Sequence, residues 1–336
     1  MYTGKKDDLV RDIESLLDKH ILNNKEQKQL LKNFVLSTVL YNWEDPEPEE
    51  IIPLTEGLEE IRESLRMFKK YKYDLKITIF GSARTSEHHD LYKLAYEFAE
   101  KAVSCGYKII TGAGPGIMEA GNKGAGPQNS FGLALKLPFE NASGVFIDYP
   151  QNVTMFKHFY SRKHTFYRES QAIVVLPGGF GTMDEIFQGL ASIQTGKQNI
   201  VPFILLDHKE GEFWHGFDKW LKTHLVANNY IYEKDLAFYT LVDTGDEAIN
   251  YIKHFYKNFY NYFALGEKLF FQLKIKLSEQ QLGEVNSRIN TKNMSEFIFV
   301  RERYFNNSNL YVYCSNHLNT ADFIGIKKLI DVINTL

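Results

Sequence analysis

The residues best suited to chemistry lie at 178–185, where Gly178, Gly179, Phe180, Gly181 and Thr182 are followed, three positions on, by Glu185. Glycines let bare backbone amides converge, and where a helix opens on such a turn its dipole adds attraction for a phosphate. The Thr182 hydroxyl is placed to join that grip. Glu185 would then stand about one helical turn behind the anion, where a carboxylate can stabilise a developing cation or position an attacking water. A positive group is also useful there, to orient the phosphate or assist a leaving group, and Arg162, with Lys163 beside it, is the best-placed pair. Both have bland readings. Residues 182–185 also spell a T-x-x-E capping box, in which the glutamate bonds only to the threonine amide. A helix carrying Lys157, Arg162, Lys163 and Arg168 can simply show a solvated basic face. Spacing alone leaves these alternatives open.

The elements that must hold these residues follow from pattern. Ala172, Ile173, Val174, Val175 and Leu176 form an apolar, β-branched run of the kind buried on both faces of a sheet, and it halts at Pro177. Ile186, Phe187, Leu190 and Ile193 then recur at helical spacing, so the order is strand, glycine turn, helix. Upstream, strands are expected at 76–80, 107–110 and 131–137, with 145–149 a further candidate. Helices are expected at 90–104, from 117, and over 154–168. Strand 201–206 and a helix over 213–226 come after the central motif. That succession predicts a parallel, doubly wound α/β sheet, and the turns at Gly81, Gly112 and Gly178 all fall at carboxyl ends of strands, where ligands of such sheets bind.

The residues Pro177-Gly178-Gly179-Phe180-Gly181-Thr182-Met183-Asp184-Glu185 fit PGGxGTxxE, and with Arg162-Lys163 they closely resemble the LOG family. These are the Rossmann-fold nucleotide 5′-monophosphate nucleosidases, whose members were often mislabelled lysine decarboxylases. The resemblance runs over about residues 75–260. It implies a Rossmann-like catalytic domain at 75–262, flanked by an N-terminal helical extension with an acidic linker at 1–74 and a small C-terminal α+β unit at 263–336. It implies Arg162 and Glu185 as catalytic residues. Substrate contacts are implied at Gly81, Ser82, Gly114, Met118, Lys163, Gly178, Gly179, Gly181 and Thr182, although these also fit turn and packing roles. The chain has Gly112-Ala113-Gly114 where the family has three glycines, Glu119 where a glycine follows the methionine, and extra segments at both ends. Those segments resemble the longer bacterial branch. The resemblance therefore implies an N-glycosyl hydrolase acting on a nucleoside 5′-monophosphate, AMP or another purine monophosphate, with no cofactor and as a homodimer or larger assembly. A non-catalytic nucleotide sensor using the same loop is the alternative, and a phosphoribosyl transferase lacks its acidic pyrophosphate-loop pattern.

Composition narrows the field further. With 336 residues, 44% hydrophobic and 24% charged, the chain can bury a sizeable core. Its net charge of −3 is too small and too evenly spread to point to nucleic acid or a membrane. Two cysteines, Cys105 and Cys314, argue against a disulfide framework and fit a cytoplasmic setting, as does a polar N-terminus without an apolar leader. Ten histidines invite a metal, but the chain contains no HExxH or CxxC, and no GxSxG elbow or recognisable pyridoxal lysine. Glu140 is a weak candidate for contacting a base. At the ends, two helices are expected before residue 41, an acidic linker at 44–50, a helix over 54–71, and a helix carrying the aromatic run 254–263. The tail reads as strand 269–275, helix 278–288, strands 297–301 and 310–314, and helix 321–333.

Overall fold

The computed structural model describes residues 3–20, 24–42, 44–136, 146, 149–265, 268–289, 297–305, 308–315 and 323–336. The chain divides into a unit at Met1–Leu58 and a second at Glu59–Leu336. The first contains helices α1 (Thr3–His20) and α2 (Lys25–Asn42) and the start of α3 (Pro48–Phe68). Ile13 and Leu17 of α1 are buried. Lys32 of α2 meets Glu14 of α1 at 2.7 Å, and Lys28 pairs with Asp18. Helix α3 begins inside the segment expected as linker, because Pro48 occupies a first-turn position that has no amide hydrogen bond to lose.

In the second unit, β1 (Lys76–Phe80), β2 (Lys108–Thr111), β3 (Ser130–Leu135), β4 (Val153–Phe156), β5 (Ala172–Val175), β6 (Phe203–Leu206) and β7 (Thr240–Val242) form one sheet in the order β4-β3-β2-β1-β5-β6-β7. Every pairing is parallel. The chain walks outward from β1 to β4 and then returns to lay β5 on β1's other side, so the reversal falls between β1 and β5. In sheets of this kind ligands bind beyond the strand ends at that point. Alternate residues of each strand serve opposite faces. Ile77, Ile79, Val174 and Ile204 pack with α4 (Asp90–Ser104), α5 (Ile117–Ala125) and α9 (Gly245–Phe255). Phe80, Ile173, Val175, Phe203 and Leu205 pack with α6 (Phe159–Glu169), α7 (Phe180–Gln194), α8 (Phe213–Trp220) and Phe68 of α3. Burial on both faces explains why these strands read as apolar runs.

The second core continues into the tail. There β8 (Phe259–Leu265), β9 (Lys268–Leu273), β10 (Phe297–Phe305) and β11 (Ser308–Ser315) form an antiparallel sheet ordered β10-β11-β9-β8. Helices α10 (Glu279–Ile289) and α11 (Phe323–Thr335) accompany it. Asn334 of α11 accepts the Asn258 and Phe259 amides at 2.9 and 3.1 Å, fixing where α9 gives way to β8.

Three expectations are corrected, and one strand was not anticipated. Residues 154–168 are not one helix: Val153-Thr154-Met155-Phe156 pairs with β3 as an edge strand before α6 starts. The aromatic run 254–263 is the end of α9 followed by β8. Residues 213–226 are α8 followed by a π-helical turn over Leu221–Val226. The three-residue strand β7 carries too short a pattern to be read. The proposed strand 145–149 lies outside the described residues apart from Phe146 and Tyr149, and Glu140 lies wholly outside them. Among the described residues no helix is long and apolar enough to cross a membrane.

Helices α4 and α5 meet so closely that a Cβ on Gly124 would stand 2.9 Å from the Tyr96 carbonyl carbon, and nearer still to its oxygen. Backbone cannot swing away as a side chain can, so Gly124→Ala is expected to lower unfolding free energy by about 1–3 kcal/mol in urea titrations. Gly216, in α8, has open space around the same position, and Gly216→Ala should raise it by up to about 1 kcal/mol.

Candidate active site

Three backbone turns meet at the reversal point. Leu176 N donates to Phe80 O at 2.9 Å and Ser82 N to Pro177 O at 3.1 Å, so β1 and β5 stay paired past their last strand residues. Ile117 N donates to Ser82 O at 3.0 Å, tying the start of α5 to the same spot. Side chains would break this contact. A Cβ on Gly178 would lie 2.9 Å from Ser82 N, and one on Gly81 would lie 2.6 Å from Ile117 Cγ2. Gly116 has φ +67° and abuts the Ser82 and Ala83 backbone, which demands glycine on two grounds.

Gly179 and Gly181, by contrast, have nothing within 4 Å of a would-be Cβ. Gly179 is the N-cap of α7 and no side chain caps it. The first amides of α7 therefore open on free space, where the helix dipole favours an anion. Thr182, buried, lies against Gly178, while Phe180 is 98% exposed at the lip of the turn. The capping-box alternative does not form: α7 starts at Phe180, so Thr182 is already the third helical residue.

Glu185 lies one turn further and is only 6% exposed. Burial pushes its carboxyl above the ordinary value of 4.5, and the charge of Asp184 adds to the rise. Lys163 and, less strongly, Arg162 pull it back, as does a hydrogen bond from Tyr167. Tyr167 Oη donates to the Glu185 carbonyl at 2.5 Å and reaches Oε2 at 3.4 Å. Its own phenol is pushed up by burial, then by Glu185's charge. Lys163 Nζ is 2.6 Å from Asp184 Oδ2.

All of the cationic side comes from α6, which presents three neighbouring i, i+4 stripes. Lys163 and Tyr167 face Asp184 and Glu185 on α7. Arg162 and Phe166 face the sheet: Arg162 Nε donates to Leu133 O at 2.7 Å, Nη2 reaches Gly112 O at 3.4 Å, and the guanidinium lies 5.2 Å from the Phe166 ring centre. Ser161 and Thr165 face α3. The third turn completes this wall, since a Cβ on Gly112 would meet Arg162 and stand 2.7 Å from Met118 Sδ, and one on Gly114 would be 2.7 Å from Met118 Cε. Ala113, between them, has φ +58°. The missing family glycine is thus an alanine held in a left-handed conformation, its amide 3.0 Å from Thr111 Oγ1.

The structure thus gathers the predicted residues around one crevice in three groups. Gly81, Ser82, Gly178, Gly179, Gly181 and Thr182 surround the open amides. Gly114, Met118 and Arg162 form the wall toward β2 and β3, while Lys163 and Glu185 lie where α6 faces α7. Sequence reading missed Tyr167 and Asp184, although Tyr167 stands one turn past Lys163 and was visible on a helical wheel. A cavity of about 980 Å³ lies outside the crevice, lined by Tyr160, Lys163, Tyr167, Gln188, Asn199 and Tyr260 among others, and shares Lys163 and Tyr167 with the site.

Residues 113–252 match the family model described as "Possible lysine decarboxylase". The LOG-family resemblance holds. That description is the label LOG proteins often carried, and the match spans α5, α6, the PGGxGTxxE turn and α7. No curated protein matches the chain. Among solved structures, the molybdenum cofactor binding protein of Rippkaea orientalis is 19% identical, with a TM-score of 0.38 over 54% of this chain and 96% of that one. The molybdenum cofactor carrier protein of Chlamydomonas reinhardtii is 17% identical, with a TM-score of 0.39 over 54% and 96%. DNA processing protein A of Helicobacter pylori is 16% identical, with a TM-score of 0.38 over 53% and 80%. With scores this low, none of the three bears on the activity of this chain.

A carboxyl whose pKa is raised by folding holds its proton more tightly in the folded chain. Its contribution to stability is complete below the unfolded value and is lost as pH rises through the folded one. Glu185→Gln cannot ionise, so its melting temperature minus that of wild type should be smallest near about pH 4 and should grow toward about pH 7. An offset that does not change with pH would show that burial does not govern this group.

Proposed function

We propose that the chain hydrolyses the N-glycosidic bond of a nucleoside 5′-monophosphate, AMP or another purine monophosphate, to free base and ribose 5-phosphate, with no cofactor. The observation that carries this reading is the buried Glu185 one helical turn behind the uncapped amides of α7, with Lys163 facing it and the charge of Arg162 also acting on it. A 5′-phosphate held by the amides of residues 179–182 and the Thr182 hydroxyl sets the ribose over the first turn of that helix. Breaking the bond from C1′ to the base leaves an oxocarbenium-like centre, which the Glu185 carboxylate stabilises at short range. Water adds to C1′ and gives its proton to Glu185, while the bonding pair leaves with the base nitrogen, which takes up a proton. Burial suits Glu185 to this exchange, because a carboxyl raised toward neutrality gives and takes a proton more readily. Arg162, braced on the Leu133 and Gly112 carbonyls, and Lys163 supply positive charge to orient the phosphate and assist the leaving base. The working form implied by the resemblance is a homodimer or larger.

The test is incubation with a panel of purine and pyrimidine monophosphates, reading free base by chromatography and reducing sugar by assay. Base and ribose 5-phosphate should appear in equal amounts. Glu185→Gln should lower kcat by about 10²- to 10⁴-fold while circular dichroism stays that of wild type. Nucleosides lacking the phosphate should turn over poorly, since binding energy at the remote anion is what positions the sugar. Monophosphate binding with no base release would instead make the chain a nucleotide sensor.

A further inference from the structure

Helix α6 carries both cations of the site but has little apolar surface to hold it in place. Within Phe159–Glu169 the buried side chains are Ser161, Thr165, Phe166 and Glu169, of which Phe166 alone is apolar. Its N-cap residue, His158, makes no side-chain capping bond. What meets the N-terminal end of α6 is a carboxylate from another helix. Glu60 of α3, 7% exposed, accepts the Lys157 amide on Oε1 at 2.7 Å and the Ser161 hydroxyl on Oε2 at 2.5 Å. One turn along both helices, Ser64 and Thr165 hydroxyls stand 3.2 Å apart. Negative charge at this end of α6 also complements its dipole.

Resting on the hydrolase reading above, we infer that Glu60 is a positioning residue for Arg162. Ser161 is the residue before Arg162, so the bond that fixes its hydroxyl fixes the backbone from which the guanidinium extends. Among the described residues, Arg162 donates to Leu133 O at 2.7 Å and to Gly112 O at 3.4 Å. The guanidinium extends from the backbone at the start of α6, and Glu60 sets that start from two directions. The second half of α3 is accordingly part of the site's support, carried on a segment outside the PGGxGTxxE pattern.

The test is a double-mutant cycle. Glu60→Ala should lower kcat by about 10- to 100-fold, as expected for a displaced catalytic group, with KM moving less. Glu60→Gln should recover most of that loss, because its carbonyl still accepts the Lys157 amide and its amino group can donate to Ser161 Oγ. In an Arg162→Ala background Glu60→Ala should add no further loss, since the group it aims is gone. Wild-type kcat in Glu60→Ala, or its full loss repeated on top of Arg162→Ala, would overturn the inference. Should Glu60→Ala melt below the assay temperature, Ser161→Ala takes its place in the cycle, removing one of the two bonds and leaving Glu60 paired with the Lys157 amide. If wild type releases no base from any monophosphate, it is the hydrolase reading that fails. The same cycle is then read on AMP affinity by calorimetry, with the same non-additivity expected and additivity overturning the role of Glu60.

Discussion

A carboxyl group sunk into the wall of a protein loses hydration that only nearby charge or hydrogen bonds can offset. Glu185 is such a group, and the arrangement around it follows from that constraint. The cations that oppose its desolvation, Lys163 and Arg162, are neighbours on α6, and the phenol that bonds it, Tyr167, is one turn further on the same helix. Because the step between adjacent residues of a helix is about 100°, three consecutive residues cannot share a face. Ser161, Arg162 and Lys163 therefore point to three different neighbours, namely α3, the β2 and β3 ends, and α7. Each is backed by the residue four on: Thr165, Phe166 and Tyr167. A short helix with polar contacts on all three sides is held more by hydrogen bonds than by packing, so its direction is defined by where those bonds lie.

Its two ends are fixed differently. At the C-terminal end Glu169 stands 3.7 Å from Lys76 Nζ, and the ammonium also donates to the Tyr71 and Asp74 carbonyls at 2.9 and 2.8 Å. Ser170 follows with a 2.5 Å bond to Thr78 Oγ1. These contacts tie α6 to the beginning of β1, the central strand of the sheet. At the N-terminal end the tie is to α3. The opposite wall of the crevice needs no such help, because the β1 and β5 turns are joined backbone to backbone and α7 leaves directly from β5. The site thus joins a rigid half, built from main-chain hydrogen bonds at the sheet reversal, to a half whose geometry is carried by side chains.

That division matches what could be read from residue order. The rigid half is local: an apolar strand, a glycine turn and a helix within one stretch, so the turn at 178–182 and its place at a strand end were both visible. The same locality explains why β1, β2, β5 and β6 were legible, each buried on two faces. Elements set by distant partners were not. Residues 153–156 become a strand because β3 lies beside them, and β8 begins at Phe259 because Asn334, seventy-five positions away, takes its amide. The T-x-x-E spacing failed as a capping signal because Gly179, which has no side chain to cap with, already starts the helix. Glu60 gave no signal at all: on α3 it is one glutamate among several, and only the placement of α6 distinguishes it.

Ala113 shows the same logic from the other side. An L-residue in the left-handed region costs roughly 1–2 kcal/mol, and this chain accepts that cost beside the Gly112 carbonyl that Arg162 touches. The strain persists because the surroundings over-determine it: Thr111 receives the Ala113 amide and bonds Asn122 on α5, and the alanine methyl is buried with Ala134 and Phe146. A glycine would remove the strain but also that buried methyl. The alanine therefore trades backbone ease for packing at a point where the β2 turn must not move, since the Gly112 carbonyl is a support of the arginine. Strain at this position is consistent with a crevice whose two halves are aligned by a few side-chain bonds rather than by one continuous core.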